Sequence, residues 1–203
     1  MTFYSINNLY EFMNEKAKNA INSRGVFNIA VSGGSMPRLT QKAMEGNEKW
    51  NVFFVDERVV PLIDNQSNYK AWRQWIIETK AIAHKIEFSS NADNVREDYE
   101  LKVKKNVPNL VFDLIMLGMG EDGHTASLFP SLKHYKDDHL GILLVDDSPK
   151  PPSVRITFSL PLITRSRSVI FIACGEGKRN MIKNGVENTF VGKIVREADW
   201  FHD

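Results

Sequence analysis

The sequence of 203 residues has one cysteine, Cys174. A single thiol closes no internal disulfide and supports no thiolate metal cluster within one chain, so a reducing compartment, the cytoplasm, is the expected location. Cys174 itself reads as a small buried hydrophobe. Long apolar runs are absent as well. No uncharged stretch approaches membrane-spanning length, and the opening MTFYSINNLYEFMNEKAKNA lacks the basic-then-apolar layout of a secretory signal. The chain is read as soluble, with no membrane partner. There is little net charge: 26 Lys and Arg against 25 Asp and Glu leave +1, no bulk attraction to nucleic acid, so a charged ligand must be held locally. Several chemical signatures are missing too. No eight-residue Walker pattern offers a site for a nucleoside triphosphate, no H-E-x-x-H or comparable cluster a site for zinc, and no G-x-S-x-G elbow a serine nucleophile. Neither a cofactor nor a metal is expected.

What remains is globular material, 42% hydrophobic and 25% charged, and the length suits one domain whose core needs no staples. Leu9, Phe12, Met13, Ala17, Ala20 and Ile21 recur at helical spacing behind Asn7 and Asn8. This predicts an amphipathic helix over about residues 8–22, with Gly25 just past its end. The apolar runs Val26–Val31, Val52–Val55, Phe112–Leu117, Gly141–Val145, Arg155–Leu160 and Val169–Cys174 read as strands, several buried on both faces. Between them lie the helical candidates Pro37–Glu45, Asn68–Lys80, Val95–Lys105 and Gly177–Asn184. Such alternation predicts a single α/β domain over residues 1–203, with an open, mostly parallel, Rossmann-like sheet and helices on both faces. Ligands in such folds bind beyond the carboxyl ends of strands. The proline-rich DDSPKPPS of residues 146–153 reads as an ordered loop rather than a boundary.

Three strand ends carry unusual residues. In VSGGSMPRLTQKAM, Gly33 and Gly34 let the chain turn sharply, Ser32 and Ser35 add hydroxyls, and Pro37 suits a helix start. Free backbone N–H groups there would suit a phosphate monoester, although a plain serine-capped turn has the same local sequence. In FFVDERVVP, the charged Asp56, Glu57 and Arg58 directly follow an apolar strand, where charge is rare unless paired or functional; the competing reading is a solvated turn with a salt bridge. In DLIMLGMGEDGHTASLFP, the segment GMGEDG has the form of a dinucleotide fingerprint. Only His124 to Phe129 precede Pro130, too little for the phosphate-binding helix that fingerprint needs. A glycine-shaped loop presenting Asp122 and His124 is more economical. A neutral imidazole accepts a proton from water, and a nearby carboxylate orients it and stabilises its charged form. His84, His134, His139 and His202 read as structural.

Taken in order, SGGSMP, FFVDERVVP followed by SNY, DLIMLGMGEDGHTASLFP, PPSVRITFSLPLI and DWFHD resemble the 6-phosphogluconolactonases, which are related to glucosamine-6-phosphate deaminases. The matching stretches cover most of the chain, and GHTASLFP beside VDER is the specific part. The resemblance implies hydrolysis of the six-phosphorylated glucono-δ-lactone to 6-phosphogluconate, a pentose phosphate pathway step, without metal or nucleotide. It implies His124 as the general base that activates water, with Asp56 and Arg58 as the aspartate and arginine of VDER. Asp56 would orient water or imidazole, and Arg58 would bind phosphate or the developing oxyanion. Gly33, Gly34 and Ser35 would line the phosphate end with Arg155 and Lys178, and Asp122 is a further orienting candidate. The implied partner is the sugar-phosphate lactone, with functional coupling to glucose-6-phosphate dehydrogenase, which makes it. Met36 stands where the family loop has threonine, and the chain is shorter than typical relatives between Tyr69 and Asp113 and after Met181. Two rival activities are an isomerase or deaminase, whose histidine segment carries a glutamate where Phe129 stands here, and a sugar-phosphate binding module without turnover.

Overall fold

A computed structural model describes residues 1–203. The apolar run Phe27–Val31 (β2) is buried at every position, as a strand covered on both faces must be. It pairs in parallel with Trp50–Phe54 (β3) on one side and Leu114–Gly118 (β6) on the other. Ile82–His84 (β5) extends the sheet beyond β3, and Val169–Ile172 (β9), Asp199–His202 (β10) and Thr2–Ser5 (β1) extend it beyond β6. The order is β1-β10-β9-β6-β2-β3-β5, with every pair parallel.

Strand alternation sends neighbouring side chains to opposite faces, and each face has its own core. Ile29, Val31, Leu114 and Met116 join a cluster of 21 buried residues under Leu9–Arg24 (α1) and Asn68–Thr79 (α3). Ala30, Phe53, Ile115 and Leu117 join one of 28 under Ala92–Asn106 (α4). The predicted first helix is α1, and Gly25 ends it at φ 83°, a conformation that costs glycine little. The helix read over Pro37–Glu45 is shorter: Met36–Thr40 (α2) is followed by a separate 3-10 turn at Gln41–Ala43. Leu160–Thr164 (α5), Glu176–Lys183 (α6) and Phe190–Ile194 (α7) complete the helices.

One part of the architecture departs from the alternating pattern. Asp56–Arg58 (β4), Ile142–Val145 (β7) and Arg155–Phe158 (β8) form a second, antiparallel sheet in the order β4-β8-β7. No helix separates β7 from β8, only the proline-rich loop, and strands joined without a crossover helix can only lie antiparallel. The main chain changes sheets at Val55, whose N–H donates to Val31 O at 3.0 Å and whose carbonyl accepts from Phe158 N at 2.7 Å. Asp56 and Glu57 are therefore strand residues, 5% and 0% exposed, and the solvated-turn reading of VDER is wrong.

The sheet edge gives the fold a pH dependence. His84 on β5 stacks on Phe53 with ring centroids 4.3 Å apart, and its Nε2 lies 3.2 Å from Asn51 Oδ1. Burial, helped by the Lys102 charge, lowers its pKa from 6.5 to about 4. The unfolded chain thus binds this proton near the ordinary value and the folded chain only near 4, so stability falls as pH drops through that window. We expect the denaturant-measured unfolding free energy to lose roughly 1–2 kcal/mol more in the native protein than in His84→Gln across this window. Equal losses in both would remove His84 as the cause.

Candidate active site

Because the strands of the main sheet are parallel, their carboxyl ends share one edge, and one cavity opens there. It is lined from β2 by the Gly33–Ser35 turn, from β4 by Asp56 and Arg58, and from the loop after β6 by His124. Arg155 of β8 and Lys178 of α6 line it as well. The residues singled out along the sequence thus lie around a single cavity, with Asp122 behind the histidine.

The turn after β2 is fixed from several sides. Gly34 has φ 63°, the left-handed region that glycine enters without strain. Gly33 has no room for a side chain: a Cβ there would sit 1.8 Å from Asn68 Oδ1. Trp72 Nε1 donates to Ser32 O at 2.9 Å, anchoring the turn to α3. The hydroxyl of Ser32 is buried without a partner, and Met36 is 3% exposed within the core. Since α2 has only five residues, its dipole is small; Ser32 and Ser35 of the turn line the cavity together with the cations Arg58 and Lys178.

The VDER segment divides into three roles. Glu57, fully buried, accepts from Asn68 N at 2.7 Å, Tyr69 N at 2.8 Å and Ser67 Oγ at 3.1 Å. It thus closes the open N–H groups at the start of α3 and ties that helix to β4. Burial pushes its pKa up, against the pull of those N–H donors. Asp56 accepts from Ser127 Oγ at 2.9 Å and Asn68 Nδ2 at 3.2 Å. No hydrogen bond joins it to His124, so the expected orienting of imidazole falls to Asp122 instead. Arg58 donates from Nη1 to Gln66 O at 2.6 Å, while its Nε is buried without a partner.

His124 is held on two sides. Its Nδ1 hydrogen-bonds Asp122 Oδ1, and its ring stacks on Phe129 with centroids 4.5 Å apart. A Cβ on Gly120 would lie 2.2 Å from the ring, so only glycine fits beside it. Burial, opposed by the bond and charge of Asp122, lowers the imidazole pKa below its ordinary value. Burial works against the ionised Asp122, but the hydrogen bond and charge of His124 outweigh it, and its pKa is lowered. An ionised carboxylate only accepts, so Nδ1 carries the hydrogen and Nε2 has the free lone pair.

Arg155 is placed differently from a simple phosphate ligand. It is 3% exposed, and its Nε donates to Pro152 O at 3.0 Å while its Nη2 donates to Lys150 O at 2.9 Å and Pro151 O at 3.3 Å. These bonds fasten the proline-rich loop to β8. Asn68, Ser127 and Lys150 are site neighbours that the sequence does not mark. Asn68 lay within SNY but read as a helix start, whereas Ser127 and Lys150 carried no local signal. No group of three His, Cys, Asp or Glu side chains is placed to hold a metal ion, and no helix is long and apolar enough to cross a membrane.

Residues 4–193 match the sequence model of the family described as glucosamine-6-phosphate isomerases/6-phosphogluconolactonase. A probable 6-phosphogluconolactonase of Schizosaccharomyces pombe is 37% identical over 224 residues, covering 95% of this chain and 86% of that protein. One of Drosophila melanogaster is also 37% identical, covering 87% of this chain and 76% of that protein. The crystal structure of the 6-phosphogluconolactonase from Thermotoga maritima matches with a TM-score of 0.86 at 26% identity, over 99% of this chain and 98% of that one. In the two shorter regions the chain has α3, β5 and α4, and α6, α7 and β10, and the match to the Thermotoga maritima structure covers 98% of that chain. The chain belongs to the glucosamine-6-phosphate isomerase/6-phosphogluconolactonase family.

Proposed function

We propose that the protein hydrolyses 6-phospho-D-glucono-1,5-lactone to 6-phosphogluconate, using water activated by His124 and only the chain's own side chains. The observation that carries this reading is the imidazole: its Nδ1 is fixed on Asp122, and it lines the same cavity as Arg58 and the Gly33–Ser35 turn. Nε2 takes a proton as water attacks the lactone carbonyl carbon, and Asp122 stabilises the imidazolium. The same proton then passes to the ring oxygen as the C–O bond breaks, leaving a carboxylic acid that ionises. Arg58 and Lys178 supply the positive charge for the phosphoryl group and the developing oxyanion. Asp56, an acceptor fixed by Ser127 and Asn68, orients water or a sugar hydroxyl.

The names of the relatives support the lactonase half of the family. The stacked Phe129 supports it also, because no carboxylate stands where the isomerising relatives need one. In this reading glucose-6-phosphate dehydrogenase supplies the lactone, in the pentose phosphate pathway of a reducing cytoplasm. The test is to generate the lactone with that dehydrogenase, add the protein and follow acid release above the spontaneous background. Because the base must be neutral, kcat/KM should fall as pH drops through an imidazole pKa below 6.5. Acid release no faster than background at any pH would sink the proposal.

A further inference from the structure

A cation outside the cavity lining approaches His124 from the side of the ring that Asp122 holds. Lys150, 44% exposed in its side chain, leaves the proline-rich loop and places Nζ 3.5 Å from His124 Nδ1 and 3.5 Å from Asp122 Oδ1. The loop that carries it is anchored by the buried Arg155 guanidinium, which holds the carbonyls of Lys150, Pro151 and Pro152. Ser148 closes the loop from inside, its Oγ donating to Lys150 O at 3.0 Å and accepting from Lys150 N at 3.3 Å. These bonds fix where the Lys150 stem leaves the backbone.

We propose that Lys150 is a positioning residue for the general base, sharing the Asp122 carboxylate with His124 so that the ring keeps its orientation and remains an acceptor. This rests on the reading of His124 as that base. The groups acting on the imidazole come from three elements: Asp122 on its own loop, Lys150 on the proline-rich loop and Asp56 on β4. Arg58, Arg155 and Lys178 line the same cavity from β4, β8 and α6. Asp122 and Asp56 both favour the imidazolium. Lys150 opposes them, and by neutralising Asp122 it weakens that carboxylate's hold on the ring proton. Arg155 thereby acts on the site at one remove, through the loop it fastens.

The experiment compares the native protein with Lys150→Met and Lys150→Arg, following the His124 ring by proton NMR titration and recording pH–rate profiles on enzymatically generated lactone. In Lys150→Met the imidazole should stay protonated to a pH higher by roughly 0.5–1 unit, and the acid limb of kcat/KM should move with it. Lys150→Arg should return both toward the native values. Thermal midpoints should be alike, since the side chain is half exposed. An unmoved or lowered His124 titration in Lys150→Met, or an arginine variant that behaves like methionine, overturns the proposal. If the native protein fails to accelerate lactone hydrolysis, the functional reading falls instead, and the NMR titration still decides whether Lys150 sets the proton affinity of the ring.

Discussion

His124→Ala should lower kcat/KM for lactone hydrolysis by about two to four orders of magnitude, the usual loss when a general base is removed. The Gly33–Ser35 turn, the proposed phosphate end of the cavity, should be untouched: it is held by Trp72 and by the fit of Gly33 against Asn68, neither of which involves the histidine. Binding of the product, 6-phosphogluconate, measured by calorimetry, should therefore survive within a few-fold. The split between turnover and binding is the informative part. An imidazole that only packed against Phe129 would give a variant with reduced stability and near-native turnover. A variant with native kcat/KM would remove His124 from the chemistry.

Gly33→Ala should damage both stability and activity. The added Cβ would meet Asn68 Oδ1 at 1.8 Å and Asn68 Cγ at 2.2 Å. Asn68 is 1% exposed, and its Nδ2 donates to both Asp56 O and Asp56 Oδ1, which also fixes which end of the amide is nitrogen. To make room, the amide must leave Asp56. We expect overpacking and broken buried hydrogen bonds to cost about 2–4 kcal/mol of stability together, with loss of nearly all activity because Asp56 is released and the turn displaced. The double variant Gly33→Ala/Asn68→Ala should recover part of the stability, since the clash is gone, and little activity, since Asp56 has still lost its donor. Chemical unfolding alongside the lactone assay checks this; a stable, active Gly33→Ala would show that the turn is not packed against Asn68.

The ease of reading different parts of the sequence follows from how local their causes are. The α1 helix was legible because its apolar spacing and the glycine after it lie within a few turns of one another. The buried strands β2, β3, β6 and β9 were legible because both of their faces are covered, which leaves continuous apolar runs. Strands β1, β5 and β10 leave no comparable run in the sequence. Each has only three or four residues, and their placement rests on pairing with strands distant in sequence. Asp56 and Glu57 show the limit from the other side: a DER triplet has the same local sequence on a solvated turn and in a buried strand. Only the switch of the chain at Val55 into the second sheet decides between them.

The sequence by itself determined the α/β class, the order of the main elements and the three polar strand ends at which chemistry could be sought, because periodicity, glycine placement and strand-end charge are properties of neighbouring residues. Tertiary structure alone decided that β4, β7 and β8 form a separate antiparallel sheet, that Asp122 rather than Asp56 bonds the imidazole, and that Arg155 fastens a loop. It also brought Lys150 to within 3.5 Å of His124, across 26 positions of chain. Which carboxylate meets which ring, and which carbonyls take up a guanidinium, are set by contacts between segments that share no local pattern.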